Sequence, residues 1–303
     1  MKPRDIALAV GVAALWGVNF VVIRVGLDHF PPLMFNALRF TFAAFPAVLF
    51  VGRPRVPWRW VLAVALALGV AKFSLLFAGM AAGMPAGLSS LVLQSQAIFT
   101  VVLAVALLRE RPGRRRVIGL ALAAVGVAVV AAGLGNDLPG GAFALVIAAA
   151  AAWGLSNVAT RKAGATDMLR FMVWVSALAA PWLIALSLLV DGPTANLDAL
   201  RTVTPSAIFA VLFVAGAATL AGFAAWGHLI TRHGASTIAP FAMLVPLFGI
   251  ASAALLLDEP IRPTDVLGGL LVIGGVLAGL VSVPSPRAPA AAGHLDQQGS
   301  LRP

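Results

Sequence analysis

Lys72 stands inside a long apolar run, and no run of this kind in the chain carries an Asp or Glu in its interior. An ammonium group in an apolar medium is costly unless something pairs with it. Two partners are open to it. One is a carboxylate carried by a small molecule from outside the chain. The other is water or backbone carbonyls lining a hydrated cavity. Arg39 is a second cation in an apolar run, about 4.5 Å from its centre, where it can partly snorkel. Two roles are open to it, a structural charge that bonds helix-end carbonyls and a substrate contact.

Further polar and aromatic groups lie at similar depth, taking 1.5 Å of rise per residue from the middle of each run. Lys72 is about 3 Å from the centre, and Asn19 and Gln94 are about 5 Å from it. Gln96 is about 2 Å away, and Asn157 is about 7 Å away on the other side. Trp16 and Trp153 lie within about 1 Å of the centre. Trp16 and Asn19 are three residues apart and share one helix face. Tryptophans near a membrane interface form an ordinary belt, which accounts for Trp58, Trp60 and Trp226. Central tryptophans either pack helices or wall a cavity for an apolar side chain, and Met243 is a further wall candidate. Gln94 and Gln96 point about 200° apart on a helix, so one is expected to face a cavity and the other to bond a neighbouring helix. Pro240 and Pro246 interrupt one run and free the carbonyls of Ser236 and Ala242. Such a break is either a static kink or part of a binding site and its gate.

The elements that position these groups are ten apolar segments, near residues 6–25, 33–51, 60–80, 87–108, 117–134, 142–163, 168–190, 206–229, 235–257 and 266–283. A bilayer core takes about 20 apolar residues per helix. The chain is 61% hydrophobic and 11% charged, with mean hydropathy +0.99, so almost nothing remains to build a soluble domain. The fold class expected is an all-α membrane protein. With no cysteine, thiol chemistry and cysteine metal sites are excluded. His29, His228, His233 and His294 lack the neighbours of a metal site or a base–nucleophile pair. Neither an enzyme nor a cofactor is expected. The absence of interior carboxylates, which proton-coupled carriers often use, favours facilitated transport or exchange.

The net charge of +10 is distributed by loop. Sixteen basic residues lie in one alternate set of loops and at both termini, among them Arg109, Arg111, Arg114, Arg115, Arg116, Arg161, Arg287 and Arg302. Three, Arg24, Arg201 and Arg262, lie in the opposite loops. Cytoplasmic loops collect Lys and Arg, so both termini are expected to be cytoplasmic. The charge therefore sets orientation in a bilayer and gives no reason to expect a nucleic acid partner. Residues 284–303, rich in Pro, Ala, Gly and Gln, read as a disordered cytoplasmic tail.

The chain also repeats itself. Ala14-Leu15-Trp16-Gly17-Val18-Asn19 resembles Ala151-Ala152-Trp153-Gly154-Leu155-Ser156, and an arginine follows each tryptophan eight residues later, at 24 and 161. Leu107-Leu108-Arg109-Glu110 matches Leu256-Leu257-Asp258-Glu259, and Gly119 and Gly126 match Gly268 and Gly275. The offset grows from 137 to 149, and the extra residues are expected in a long loop at 191–204. Five spans per half is an odd number, so the second half, 138–283, should enter the bilayer inverted relative to the first, 1–137. Inverted repeats are the architecture of alternating-access carriers, with the substrate site near midplane where the halves meet.

The Trp-Gly-x-Asn motif, the Arg39-Phe40 pair and the doubled Leu-x-Glu ends before Gly-rich helices resemble the drug/metabolite transporter superfamily. The chain is most similar to its EamA-type ten-helix exporters, and within them to the bacterial aromatic amino acid exporters. The resemblance implies an inner-membrane carrier that exports small metabolites, here aromatic or other apolar amino acids, through a central cavity. The alternatives are a carrier of phosphorylated or other anionic metabolites, with Lys72 and Arg39 as the clamp, and a channel or scramblase. Expected substrate contacts are Trp16, Asn19, Lys72, Gln94, Trp153, Asn157 and Met243.

Overall fold

An apolar chain in a bilayer must bond its own backbone, and helices do this within each segment. The computed structural model describes residues 1–134 and 140–280, and among these the chain is helical with no strand. The junction at 137/138, the last residues of the tenth run to Val283, and the tail with Arg287 and Arg302 lie outside the described residues.

Nine helices among the described residues are long and apolar enough to cross a membrane. They are α1 (Pro3–Leu27), α2 (Pro32–Leu49), α3 (Trp58–Ala81), α4 (Ala86–Leu108), α5 (Arg114–Gly133), α6 (Gly140–Ala163), α7 (Met168–Val190), α8 (Pro205–His233) and α9 (Ala235–Leu256). A tenth apolar helix, α10 (Pro263–Leu280), is shorter. Their positions agree with the expected spans to within a few residues.

Local chemistry sets the boundaries. Pro3, Pro32 and Pro205 occupy first helical positions, where the missing N–H costs nothing. Asp167 caps α7 by accepting from the Arg170 N–H at 3.0 Å, and Thr204 caps α8 by accepting from the Ala207 N–H at 3.2 Å. Helices α4 and α9 both end in left-handed residues, Arg109 (φ 55°) and Asp258 (φ 54°). The next residues, Glu110 and Glu259, bond back to Ala104 O and Ala253 O at 3.4 and 3.3 Å.

Besides α2, which ends in a 3-10 turn at Ala47–Leu49, four helices among the described residues change winding partway. In α3 and α8 the backbone widens to π-helical bonding over Ala65–Lys72 and Phe213–Ala221. In α4 and α9 it tightens to 3-10 geometry over Leu93–Ser95 and Ala239–Leu244. Proline patterning pointed to α9 alone.

Small residues let the helices close. Gly119 faces the backbone of Gly275, and a Cβ on Gly126 would stand 2.7 Å from Gly268 O, so α5 and α10 pack backbone to backbone. Gly17 does the same against Phe248 and Gly249, and Gly154 against Phe99 and Thr100. These pairs follow the sequence repeat: each contact recurs with the roles of its two partners exchanged between halves.

One expectation needs correction. The segment near 191–204 is not a plain loop, because Pro193–Arg201 forms a short helix. It is too polar to be a span, and Pro193 at its first turn starts it. Asn196 donates to Ser187 Oγ at 2.8 Å, and the His29 ring bonds Ala199 O at 2.9 Å, tying this helix across the ends of α1 and α7.

The two ends of the bundle differ. At the far end, away from Pro3, α4 and α9 converge: a Cβ on Gly87 would lie 3.2 Å from Ile250 Cα and 3.3 Å from Ala253 Cβ. The near end is held by other contacts. His233 on α8 bonds Asp5 on α1 at 3.0 Å, and Arg161 on α6 pairs with Glu110 after α4 at 3.1 Å.

Candidate functional site

Lys72 closes the π-helical segment of α3 and is buried. Its Nζ lies 3.3 Å from the centre of the Phe73 ring and 4.7 Å from that of Trp153 on α6. Among the described residues no carboxylate pairs with it. Two ring faces therefore do part of what a counter-ion would do.

Arg39 reaches the same group from α2. Its guanidinium carbon is 3.5 Å from the Phe73 ring centre and 5.2 Å from that of Phe40. Nε and Nη2 donate to Thr219 Oγ1 on α8 at 3.2 and 3.0 Å. The Thr219 hydroxyl donates to Val214 O, five residues back, at 2.7 Å. Arg39 is thus bound to a hydroxyl on the π-helical turn rather than to helix-end carbonyls. Its Nη1 is buried without a partner among the described residues. Phe73 serves both cations. Thr219 carried no sequence signal, because a lone threonine in a membrane helix is ordinary.

Trp16 is half-buried and anchored. Its Nε1 donates to Ala218 O on α8 at 2.9 Å. Its ring packs on Phe223 and Trp226 with centroids 5.4 and 5.1 Å apart. Trp226 therefore belongs to this inner aromatic group and not to an interfacial belt. Asn19, one turn along the same face of α1, is buried and its Oδ1 has no partner among the described residues.

The amides form two links. Asn157 on α6 donates to Gln96 Oε1 at 2.7 Å and to Thr100 Oγ1 at 3.1 Å. Gln94 donates to Ala242 O on α9 at 3.4 Å, the carbonyl that Pro246 was expected to free. That carbonyl also accepts from the Val245 N–H. Both glutamines thus bond a neighbouring helix, where one had been expected to face a cavity. Pro240 lies in the 3-10 segment and Pro246 at the start of the α-helix that follows it. Met243 is buried with Ala123 and Val276, against α5 and α10, in a cluster separate from that around Lys72.

The structure therefore brings Lys72, Trp153 and Arg39 together around Phe73, Trp16 together with the α8 rings, and Asn157 together with Gln96. Chemically, two buried cations can attract an anion, the Arg39 Nη1 can donate to it, the Asn19 Oδ1 can accept from a donor, and the aromatic faces can hold an apolar group. No group of His, Cys, Asp and Glu among the described residues could hold a metal ion.

A model of the EamA-like transporter family matches the chain over residues 4–132 and again over 141–280. The chain belongs to the EamA-like transporter family. It is 39% identical to a "Probable amino-acid metabolite efflux pump" of Salmonella typhimurium, over 91% of this chain and 94% of that one. A protein of the same description from Escherichia coli is 38% identical, over the same shares. A "Probable terminal-alkyne amino-acid exporter" of Streptantibioticus cattleyicolor is 28% identical, over 86% and 88%. A solved structure superposes with TM-score 0.58 at 19% identity, over 92% of this chain and 96% of that one, and shares the fold. Family and helices together make this a multi-pass membrane transporter.

Proposed function

We propose that this EamA-family chain exports amino acids with aromatic or other apolar side chains, by alternating access through the region around Lys72. Export of amino acids is supported by the relatives described as amino-acid efflux pumps and exporters. The observation that carries the substrate reading is the buried pair Lys72 and Arg39, which share Phe73 and have no carboxylate partner among the described residues. A substrate carboxylate would complete that pair. Its ammonium would meet an acceptor such as Asn19 Oδ1, and its side chain would lie among Trp16, Trp153, Phe223 and Trp226.

The ten helices read as two inverted five-helix repeats, 1–137 and 138–283. The double family match supports this, and so do the exchanged glycine contacts of α5 with α10. The near end, with its arginine-rich loops, would face the cytoplasm of a bacterial inner membrane. The winding changes in α3, α4, α8 and α9, with Pro240 and Pro246, would be where the halves flex.

The test is flux in proteoliposomes. Saturable, stereoselective movement of aromatic amino acids is expected, and unsaturable flux would point to a pore. The second reading, a carrier of phosphorylated metabolites, is favoured by two cations on one ring. Competition by sugar phosphates but not by amino acids would select it.

A further inference from the structure

The two glutamates that follow α4 and α9 occupy matching places in the repeat and make different contacts. Glu259 Oε1 and Oε2 accept from the backbone N–H groups of Ala86 and Gly87 at 2.7 and 2.9 Å. This carboxylate spans the halves and caps the first turn of α4, where unpaired N–H groups and the helix dipole favour negative charge. Ala86 and Gly87 are buried beneath it.

The sequence offset of 149 carries Glu259 back to Glu110, Ala86 forward to Ala235, and Gly87 forward to Ser236. The backbone obeys the same relation: both glutamates follow a left-handed residue and bond back to equivalent carbonyls, Ala104 and Ala253. The contact does not obey it. Ala235 and Ser236 are exposed, and no side chain caps the start of α9. Glu110 instead pairs with Arg161 at 3.1 Å. So the glutamate cap is made at the far end only, while the near end is joined by ion pairs, although both ends carry the parts.

We propose that Glu259 and Glu110 are reciprocal gate residues, each sealing one end of the transport path by capping the opposing helix of the other half. In the conformation described here, Glu259 closes the far end. In the opposite conformation Glu110 leaves Arg161 and caps Ala235 and Ser236, while Glu259 releases α4. Arg24, which stands where Arg161 stands in the repeat, is then the cation available to the freed Glu259; here it pairs with Asp28 at 3.3 Å. An ion pair at one end is exchanged for helix caps at the other, so neither state leaves a carboxylate bare. This rests on the alternating-access reading above.

The chain has no cysteine, so single thiols can report each end. Ser90→Cys lies behind the far-end latch, and Ala239→Cys is its equivalent 149 residues later at the near end. Each is labelled in right-side-out or inside-out vesicles with an impermeant maleimide, normalised to folded protein. Glu259→Gln should raise the labelling rate at 90 by about tenfold and lower that at 239, as expected for losing a charge-assisted bond. Glu110→Gln should do the reverse. Glu110 is 41% exposed at its side chain, so this second variant tests the proposal without loss of folding. Unchanged rates at both positions in both variants would overturn the latch. Alternating access has its own control in the same assay. Saturating an aromatic amino acid on one side should move the two rates in opposite directions. If they move together or not at all, the alternating-access reading fails; if they oppose but ignore both glutamates, the latch alone fails.

Discussion

Lys72 Nζ lies 4.7 Å from the centre of the Trp153 ring, although the two residues come from different halves of the chain. The lysine closes the π-helical segment of α3, and the tryptophan sits in the Trp-Gly motif of α6. The contact places a cation, with no carboxylate partner among the described residues, against an aromatic ring from the other half. This is the geometry a zwitterion with an apolar side chain would use. Replacing Lys72 with Met keeps the length and removes the charge. Affinity for an amino acid should fall by about 1.5–3 kcal/mol, or about ten- to hundredfold in Kd. The amide of the same amino acid lacks the carboxylate and should bind both proteins equally. Competition binding with the acid and the amide separates the effects, and equal losses for both would make Lys72 structural.

Thr219 is the acceptor for two Arg39 nitrogens. Thr219→Val preserves volume but leaves a buried guanidinium short of an acceptor, at a cost of about 1–3 kcal/mol. Thermal unfolding in detergent should shift down, while Thr219→Ser should stay close to the natural chain. Similar behaviour of the Val and Ser variants would show that the hydroxyl does not hold Arg39.

The α5–α10 contact depends on glycine where a Cβ would strike backbone. Gly126→Ala places a methyl 2.7 Å from Gly268 O, while Gly274→Ala points into open space. The first should cost about 1–3 kcal/mol and lower the yield of monodisperse protein, and the second should leave it unchanged. Size-exclusion profiles of the two variants make the comparison.

The proposed inversion of the halves would put equivalent residues on opposite sides of the membrane. Arg24→Cys and Arg161→Cys should therefore label with an impermeant reagent from opposite faces, position 24 from outside. Labelling of both from one face would remove the inverted-repeat reading.

How far the sequence reaches is seen in particular residues. Helix positions were legible because burial in lipid is a local property: a run of about 20 apolar residues spans a bilayer whatever lies beside it. The repeat was legible too, since Trp16 and Trp153, or Glu110 and Glu259, match as letters. Depth followed from the helical rise, which placed Lys72, Trp16 and Trp153 near one level. What lies beside each residue was not legible. Arg39 bonds a hydroxyl 180 positions away, and Trp16 bonds a carbonyl 202 positions away. Such partners depend on how helices rotate and pack, and hydropathy is blind to rotation when every face is apolar. The π-helical turns of α3 and α8 carry no proline, and their single glycines, Gly69 and Gly216, do not set them apart from the other glycine-bearing helices; only the packed bundle reveals them. The same limit governs the glutamates. Their equivalence is written in the sequence, but which of them caps a helix is a property of one conformation. Only the packed helices decide this: they bring Glu259 to the first turn of α4 and Glu110 to Arg161.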